Sequence, residues 1–130
     1  MNYFYAVVHK DEASAYGVTF PDIPGCFSAA DTMEEIVPNA CEALDLWFED
    51  QAEIEPSSVE AIRSEVAADL EAGAFLIAVP RVTNQNKSVR VNLSLDRGMV
   101  DAIDTAAALR KLTRSAFLAE AARNEIEGRR

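Results

Sequence analysis

Between Lys87 and Leu95 apolar and polar residues alternate without a break, and two short amphipathic segments follow. Val89, Val91, Leu93 and Leu95 point one way; Ser88, Arg90, Asn92 and Ser94 point the other. That is the period of a strand with one buried face. Asp96 is suited to cap a helix running to Leu109, with Val100, Ile103 and Ala107 inward. Thr113 is suited to cap a second, from Arg114 to about Glu127, on Phe117, Leu118, Ala121 and Ile126. A lone strand has two unpaired edges, and about 45 residues in this order cannot enclose a core alone. A twofold partner resolves both problems: two strands pair antiparallel into a ribbon, and four helices close beneath it.

Charge divides the chain at the same place. Residues 81–130 carry 10 Lys/Arg against 6 Asp/Glu, a net of +4, whereas residues 1–80 carry 2 against 16, a net of −14. A basic strand-helix-helix module therefore sits on an acidic body, the arrangement of a nucleic-acid reader joined to a part with another task. Thr83-Asn84-Gln85-Asn86 is polar and aperiodic, so 84–86 is expected to be a linker between domains 1–83 and 87–130. No apolar run approaches the roughly 20 residues of a membrane span, and the N-terminus lacks signal-peptide features. The expected location is the cytoplasm, with no membrane partner. Cys26 and Cys41 then read as buried thiols rather than a disulfide or metal pair.

In the acidic part, Asn2–His9 and Ala15–Phe20 read as strands, and Cys26–Ala29 as a short third. Pro21-Asp22-Ile23-Pro24-Gly25 cannot continue a ladder. Thr32-Met33-Glu34-Glu35 has the form of a capping box. The helix behind it places Ile36, Ala40, Ala43, Leu44, Trp47 and Phe48 on one side. Pro38 falls past its first turn and predicts a kink near 34–38. A second helical stretch follows Pro56-Ser57-Ser58 to about Glu71, apolar at Val59, Ile62, Val66 and Leu70, and ends at Gly73. Phe75–Val82 reads as a buried fourth strand.

The stretch RVNLSL…ID…LTRSAFLAEAAR resembles the ribbon-helix-helix repressors over Lys87–Glu127. The resemblance implies a ribbon lying in the major groove of operator DNA, read by Ser88, Arg90 and Asn92. Arginine can pair bidentately with guanine and asparagine with adenine, each worth about 1–3 kcal/mol of discrimination. Thr113, Arg114 and Ser115 would bind phosphate at a helix N-terminus. Relatives usually carry glycine in the inter-helix turn where this chain has Lys111, which is therefore expected at positive φ, costing ~1 kcal/mol. A dimerisation clip that never touches DNA is the bland reading, and outward Arg90 and Asn92 speak against it.

Tyr16-Gly17-Val18-Thr19-Phe20-Pro21-Asp22-Ile23-Pro24-Gly25-Cys26, with Asp31-Thr32-Met33-Glu34-Glu35 and Asn39-Ala40-Cys41-Glu42-Ala43-Leu44, resembles the HicB antitoxins. So does its place ahead of a ribbon-helix-helix tail. The resemblance implies an α+β chain: an N-terminal β-β-β-α-β ribonuclease-H-like domain and a C-terminal ribbon-helix-helix dimerisation and DNA-binding domain. It implies partners as well: operator DNA, a small basic HicA-like mRNA-cleaving toxin, and a homodimer through the tail, with a homotetramer if the acidic domains also pair.

Charge agrees with this, because a net of −14 repels RNA but steers a basic protein. Asp11, Asp22 and Asp31 lie near strand ends in turn-like sequence, so they read as turn and cap residues rather than a nuclease metal site. His9 reads as a strand-end residue with a loop or solvent partner, and Trp47 and Phe48 as core. No catalytic residue, metal ligand or cofactor is assigned, and the toxin-facing residues are not legible. The alternative is a stand-alone ribbon-helix-helix transcription regulator whose acidic domain senses a ligand. It calls for an enclosed apolar pocket with convergent polar groups.

Overall fold

The computed structural model describes residues 1–83, 85 and 87–129. Two units, Met1–Val82 and Thr83–Arg130, hold their contacts separately. Asn84 and Asn86, two of the three residues of the expected linker, lie outside the described residues.

In the first unit, β1 (Asn2–His9), β2 (Tyr16–Thr19), β3 (Phe27–Ala30) and β4 (Phe75–Arg81) form one antiparallel sheet in the order β3-β2-β1-β4. Strand β1 is central: Val7 faces Thr19 of β2 on one side and Leu76 of β4 on the other. Its alternation divides the core. Phe4, Ala6 and Val8 pack with Ile36, Ala40, Leu44 and Phe48 of α1 (Met33–Phe48). Val7 and the half-buried Tyr5 join Ile62 and Val66 on the opposite face, under α2 (Val59–Glu65) and α3 (Ala67–Glu71). This is why the middle of β1 is apolar at consecutive positions rather than alternating. Each fully buried Ile, Leu, Val or Phe contributes about 1.5–3 kcal/mol over leaving it in water.

The fold class is thus mixed α+β, and the second helical stretch expected to run to about Glu71 is divided at Val66 into two short helices. The expected third strand is shifted by one residue, and Cys26 is the buried residue entering it.

One local expectation needs correction. Thr32 is the N-cap of α1 in extended conformation, but its side chain makes no cap hydrogen bond. Half of the box forms instead one residue earlier, where the Asp31 amide donates to Glu35 Oε2 at 3.2 Å. Helix α1 keeps Pro38 inside its span. Proline removes one amide donor there, and burial of Ile36, Ala40 and Cys41 on either side of it offsets that loss.

The second unit contains α4 (Arg97–Leu109) and α5 (Arg114–Ile126). Both expected caps form: Asp96 accepts from the Met99 amide at 3.2 Å, and Thr113 Oγ1 from the Ala116 amide at 3.1 Å. Lys111 has φ 58°. Around it the Lys111 amide donates to Ala108 O at 3.0 Å and the Leu112 amide to Ala107 O at 2.8 Å, a Schellman motif with lysine at the left-handed position.

Lys87–Leu95 is not a strand of the single chain, and the N-terminal sheet does not take it up. A strand needs a ladder, and among the described residues no segment pairs with this one. On α5, Ile103 and Ala107 of α4 are matched only by half-buried Phe117 and Leu118, while Ala121 and Ile126, expected inward, are exposed. A single copy of the tail leaves part of its helix apolar face uncovered.

Candidate functional site

The tail's aliphatic row is bare. Val89, Val91, Leu93 and Leu95 are 84%, 69%, 64% and 44% exposed, far more than ordinary core-facing positions of a strand. They line an open groove of about 760 Å³ together with Val100 and Leu118. Ser88, Arg90 and Asn92 are exposed and do not line that groove, whereas Ser94, expected on their side, does.

The three residues expected to hold phosphate take different positions. Thr113 is engaged in its own cap, which leaves the amides of Arg114 and Ser115 as donors of the first turn of α5. Arg114 and Ser115 line the groove of the aliphatic row. Arg114 is also occupied: its Nε and Nη2 each donate to one oxygen of Asp104 at 2.8 Å, a two-pronged fork between α5 and α4. The fork's hydrogen bond holds the Asp104 carboxyl below the usual aspartate range, and Asp104 raises Arg114 further. A second pair, Arg110 Nη2 to Glu120 Oε1 at 2.6 Å, links the same two helices. Near the C-terminus, Glu127 is buried and takes a hydrogen bond from Arg123 at 3.3 Å. Its other oxygen lies 3.2 Å from Arg129 Nη2, close enough to pair in charge but not aligned as a hydrogen bond.

In the acidic unit, the aspartates expected in turns do structural work. Asp22 accepts from the Ser57 amide through Oδ2 and from the Ser57 hydroxyl through Oδ1, both at 2.7 Å. It ties the β2–β3 loop to the segment ahead of α2, and both oxygens are engaged. Asp11 heads a turn closed by Ser14, whose amide donates to Asp11 O at 3.1 Å. His9 Nε2 lies 3.3 Å from Asp69 Oδ1 of α3. Among the described residues no three His, Cys, Asp or Glu side chains come together as a metal site. Cys26 and Cys41 are both buried, the Cys41 thiol donating to the Pro80 carbonyl at 3.6 Å, and burial pushes the Cys26 thiol pKa up. Phe48 is core, tilted against Phe4 with centroids 5.7 Å apart, and half-buried Trp47 meets its edge at 5.0 Å.

Two features of this unit were not legible beforehand. Arg81, at the end of β4, lies buried over the Phe48 ring at 4.5 Å and donates to Asp45 at 2.8 Å and Glu53 at 2.6 Å. The second is an open groove of about 320 Å³ lined by Gly25, Cys26, Phe27, Ala43, Leu46 and Trp47, with Phe27 68% and Leu46 60% exposed. Leu46 falls off the apolar stripe of α1 among carboxylates, and that break in pattern was the available signal. Among the described residues no helix is long and apolar enough to cross a membrane.

The family model described as the HicB-like antitoxin of bacterial toxin-antitoxin systems matches residues 4–122. The chain belongs to this family. It is 36% identical to Antitoxin HicB 2 of Photorhabdus laumondii over 81 residues, 58% of either chain. The chain spans between 37% and 75% of the length of the curated relatives it matches. Solved structures agree over more of it. The crystal structure of the Burkholderia pseudomallei antitoxin HicB covers 97% of both chains at 36% identity, with a TM-score of 0.52. The antitoxin HicB3 crystal structure covers 95% of this chain and 97% of that one at 29% identity, with a TM-score of 0.54. The HicB-like family therefore accounts for both units in their order along the chain.

Proposed function

We propose that this HicB-like chain neutralises a small basic HicA-like, mRNA-cleaving toxin and represses its own operon. The acidic unit, a trimmed ribonuclease-H-like domain by resemblance, covers the toxin's active site and performs no catalysis itself. The tail pairs with that of a second copy as a ribbon-helix-helix dimer, and a tetramer forms if the acidic units also pair. The cytoplasm, where operator and toxin both reside, is the place of action.

The observation that carries this reading is the bare row Val89, Val91, Leu93 and Leu95. Four adjacent aliphatic side chains do not stay in water when a twofold mate can cover them. Pairing the two segments buries that row and satisfies their backbone edges. Arg90 and Asn92, with Ser88, are then left outward for base edges in the major groove. The free amides of Arg114 and Ser115 at the start of α5 suit a backbone phosphate, with Thr113 fixing the turn. Arg114 meets phosphate only by leaving Asp104. The groove at Phe27 is open and apolar, so it offers nothing toward an enclosed ligand-sensing pocket.

The test combines two assays on one variant. Arg90→Ala is expected to weaken operator binding by about 1–3 kcal/mol and relax specificity at one base. Neutralisation of the toxin encoded by the neighbouring reading frame should be unchanged. A folded Arg90→Ala chain that loses both activities would show that the two units do not divide the labour.

A further inference from the structure

We propose that the groove between the β2–β3 loop and the outer flank of α1, centred on Phe27, Leu46 and Trp47, receives an apolar side chain of a basic protein. The inference rests on the antitoxin reading for the partner's identity, the toxin, and adds where on the acidic unit it docks. Phe27 and Leu46 are the most exposed large apolar side chains of the sheet and α1, apart from the N-terminal Met1, and they meet at one groove. Its volume of about 320 Å³ is at the lower end of small-molecule pockets, roughly 300–1,000 Å³, and it is open rather than enclosing. That shape suits a protruding side chain on a protein surface better than a free ligand.

Charge selects the class of partner. Glu42, one helical turn before Leu46, and Glu49 and Asp50 at the end of α1 are exposed, so the chain around the groove's Leu46 is acidic. No Lys, Arg or His occurs between Lys10 and Arg63. Phosphate backbones are repelled there, which excludes nucleic acid. A second copy of this unit brings the same carboxylates and is repelled as well. A basic protein surface is attracted, and an apolar centre within a charged rim is the anatomy of a protein interface.

Strand addition at the outer strand β3 is partly closed off, because Asn39 Nδ2 donates to the Ala29 carbonyl at 2.9 Å. The partner therefore docks through side chains rather than by extending the sheet.

The experiment measures binding of the full chain to the catalytically silenced toxin from the neighbouring frame. Phe27→Thr with Leu46→Gln is expected to weaken it at least about 30-fold, the scale of a central anchor. Met33→Gln, equally exposed but at the other end of α1, should leave it unchanged. Glu42→Gln with Glu49→Gln should slow association about three- to tenfold and barely alter dissociation. Because both anchors are exposed, the double variant should keep the wild-type unfolding midpoint. Hydrogen exchange of the wild-type complex gives a readout without mutation, with slowing expected at 25–29 and 42–50. If the wild-type chain does not bind the toxin, the antitoxin reading itself fails. If the wild type binds and the double variant stays within threefold, the groove is overturned and the antitoxin reading stands. Unchanged exchange in both segments overturns it too. So does a double variant that lowers the mass of the chain alone while binding toxin normally, since the groove would then join copies of this chain.

Discussion

Lys111 shows how a single residue can be held against its preference. Three helices end in the same pattern, with the amide of the left-handed residue and the next amide bonded back into the last turn. At two of them glycine occupies the left-handed place, Gly73 at φ 107° and Gly128 at φ 77°; at the third it is Lys111 at φ 58°. A Cβ in that conformation costs roughly 1–2 kcal/mol. It persists because the turn between α4 and α5 is fixed on both sides, by the Arg110–Glu120 and Arg114–Asp104 pairs. Lys111→Gly is expected to stabilise the tail by about 0.5–1 kcal/mol, the strain relieved less the entropy glycine adds to the unfolded chain. The urea midpoint of the full chain checks it, and a lower midpoint would count against strain at this turn. This conformation was legible in advance through the resemblance, because relatives usually carry glycine at this place in the turn. The Asp104 fork was not, since it depends on how α4 and α5 lie against each other.

At the scale of elements, Arg81 closes the sheet. It ends β4, yet its partners come from α1 and from the loop after it: Asp45, Phe48 and Glu53. A guanidinium over an aromatic ring with two carboxylates holds three elements together through one side chain. Removing it would leave Asp45 and Glu53 facing each other without a cation and expose the Phe48 face. Both carboxylates are more than a third exposed, so solvent softens that penalty. Arg81→Ala is expected to destabilise the acidic unit by about 2–3 kcal/mol, mostly through lost packing on Phe48. Chemical denaturation followed by Trp47 fluorescence reads it, and a loss below about 0.5 kcal/mol would show the cluster to be ornamental. The strands and helices of this unit were readable from periodicity. Thr32 was misjudged because its local signal was outweighed by the Asp31–Glu35 bond.

For the whole molecule, the decisive quantity is apolar surface that a single chain cannot cover. The exposed row 89–95 and the uncovered Ala121 and Ile126 of α5 belong to one module, and a second copy can bury them together. Val91→Glu with Leu93→Glu places two carboxylates where two strands would meet. The expected outcome is a chain of half the wild-type mass by sedimentation and no operator binding, with the unfolding of the acidic unit unchanged. Retention of the wild-type mass would move the self-association elsewhere on the molecule.

What the order of residues determined was whatever is decided over a few neighbours. Aromatic and β-branched runs marked strands, i/i+3/i+4 spacing marked helix faces, Asp96 and Thr113 marked helix starts, and the counts of charge separated an acidic unit from a basic one. These signals act within a turn or a ladder step, so they survive any arrangement of the elements. Only the tertiary structure decided which apolar side chains stay uncovered and which distant charges meet. Phe27 looks like a core residue until the sheet and α1 are packed, which leaves it outside beside Leu46. Arg81 looks like an ordinary strand-end cation until Glu53, 28 residues away, is brought to it. Burial and pairing are properties of the packed whole, where neighbours in space need not be neighbours in sequence.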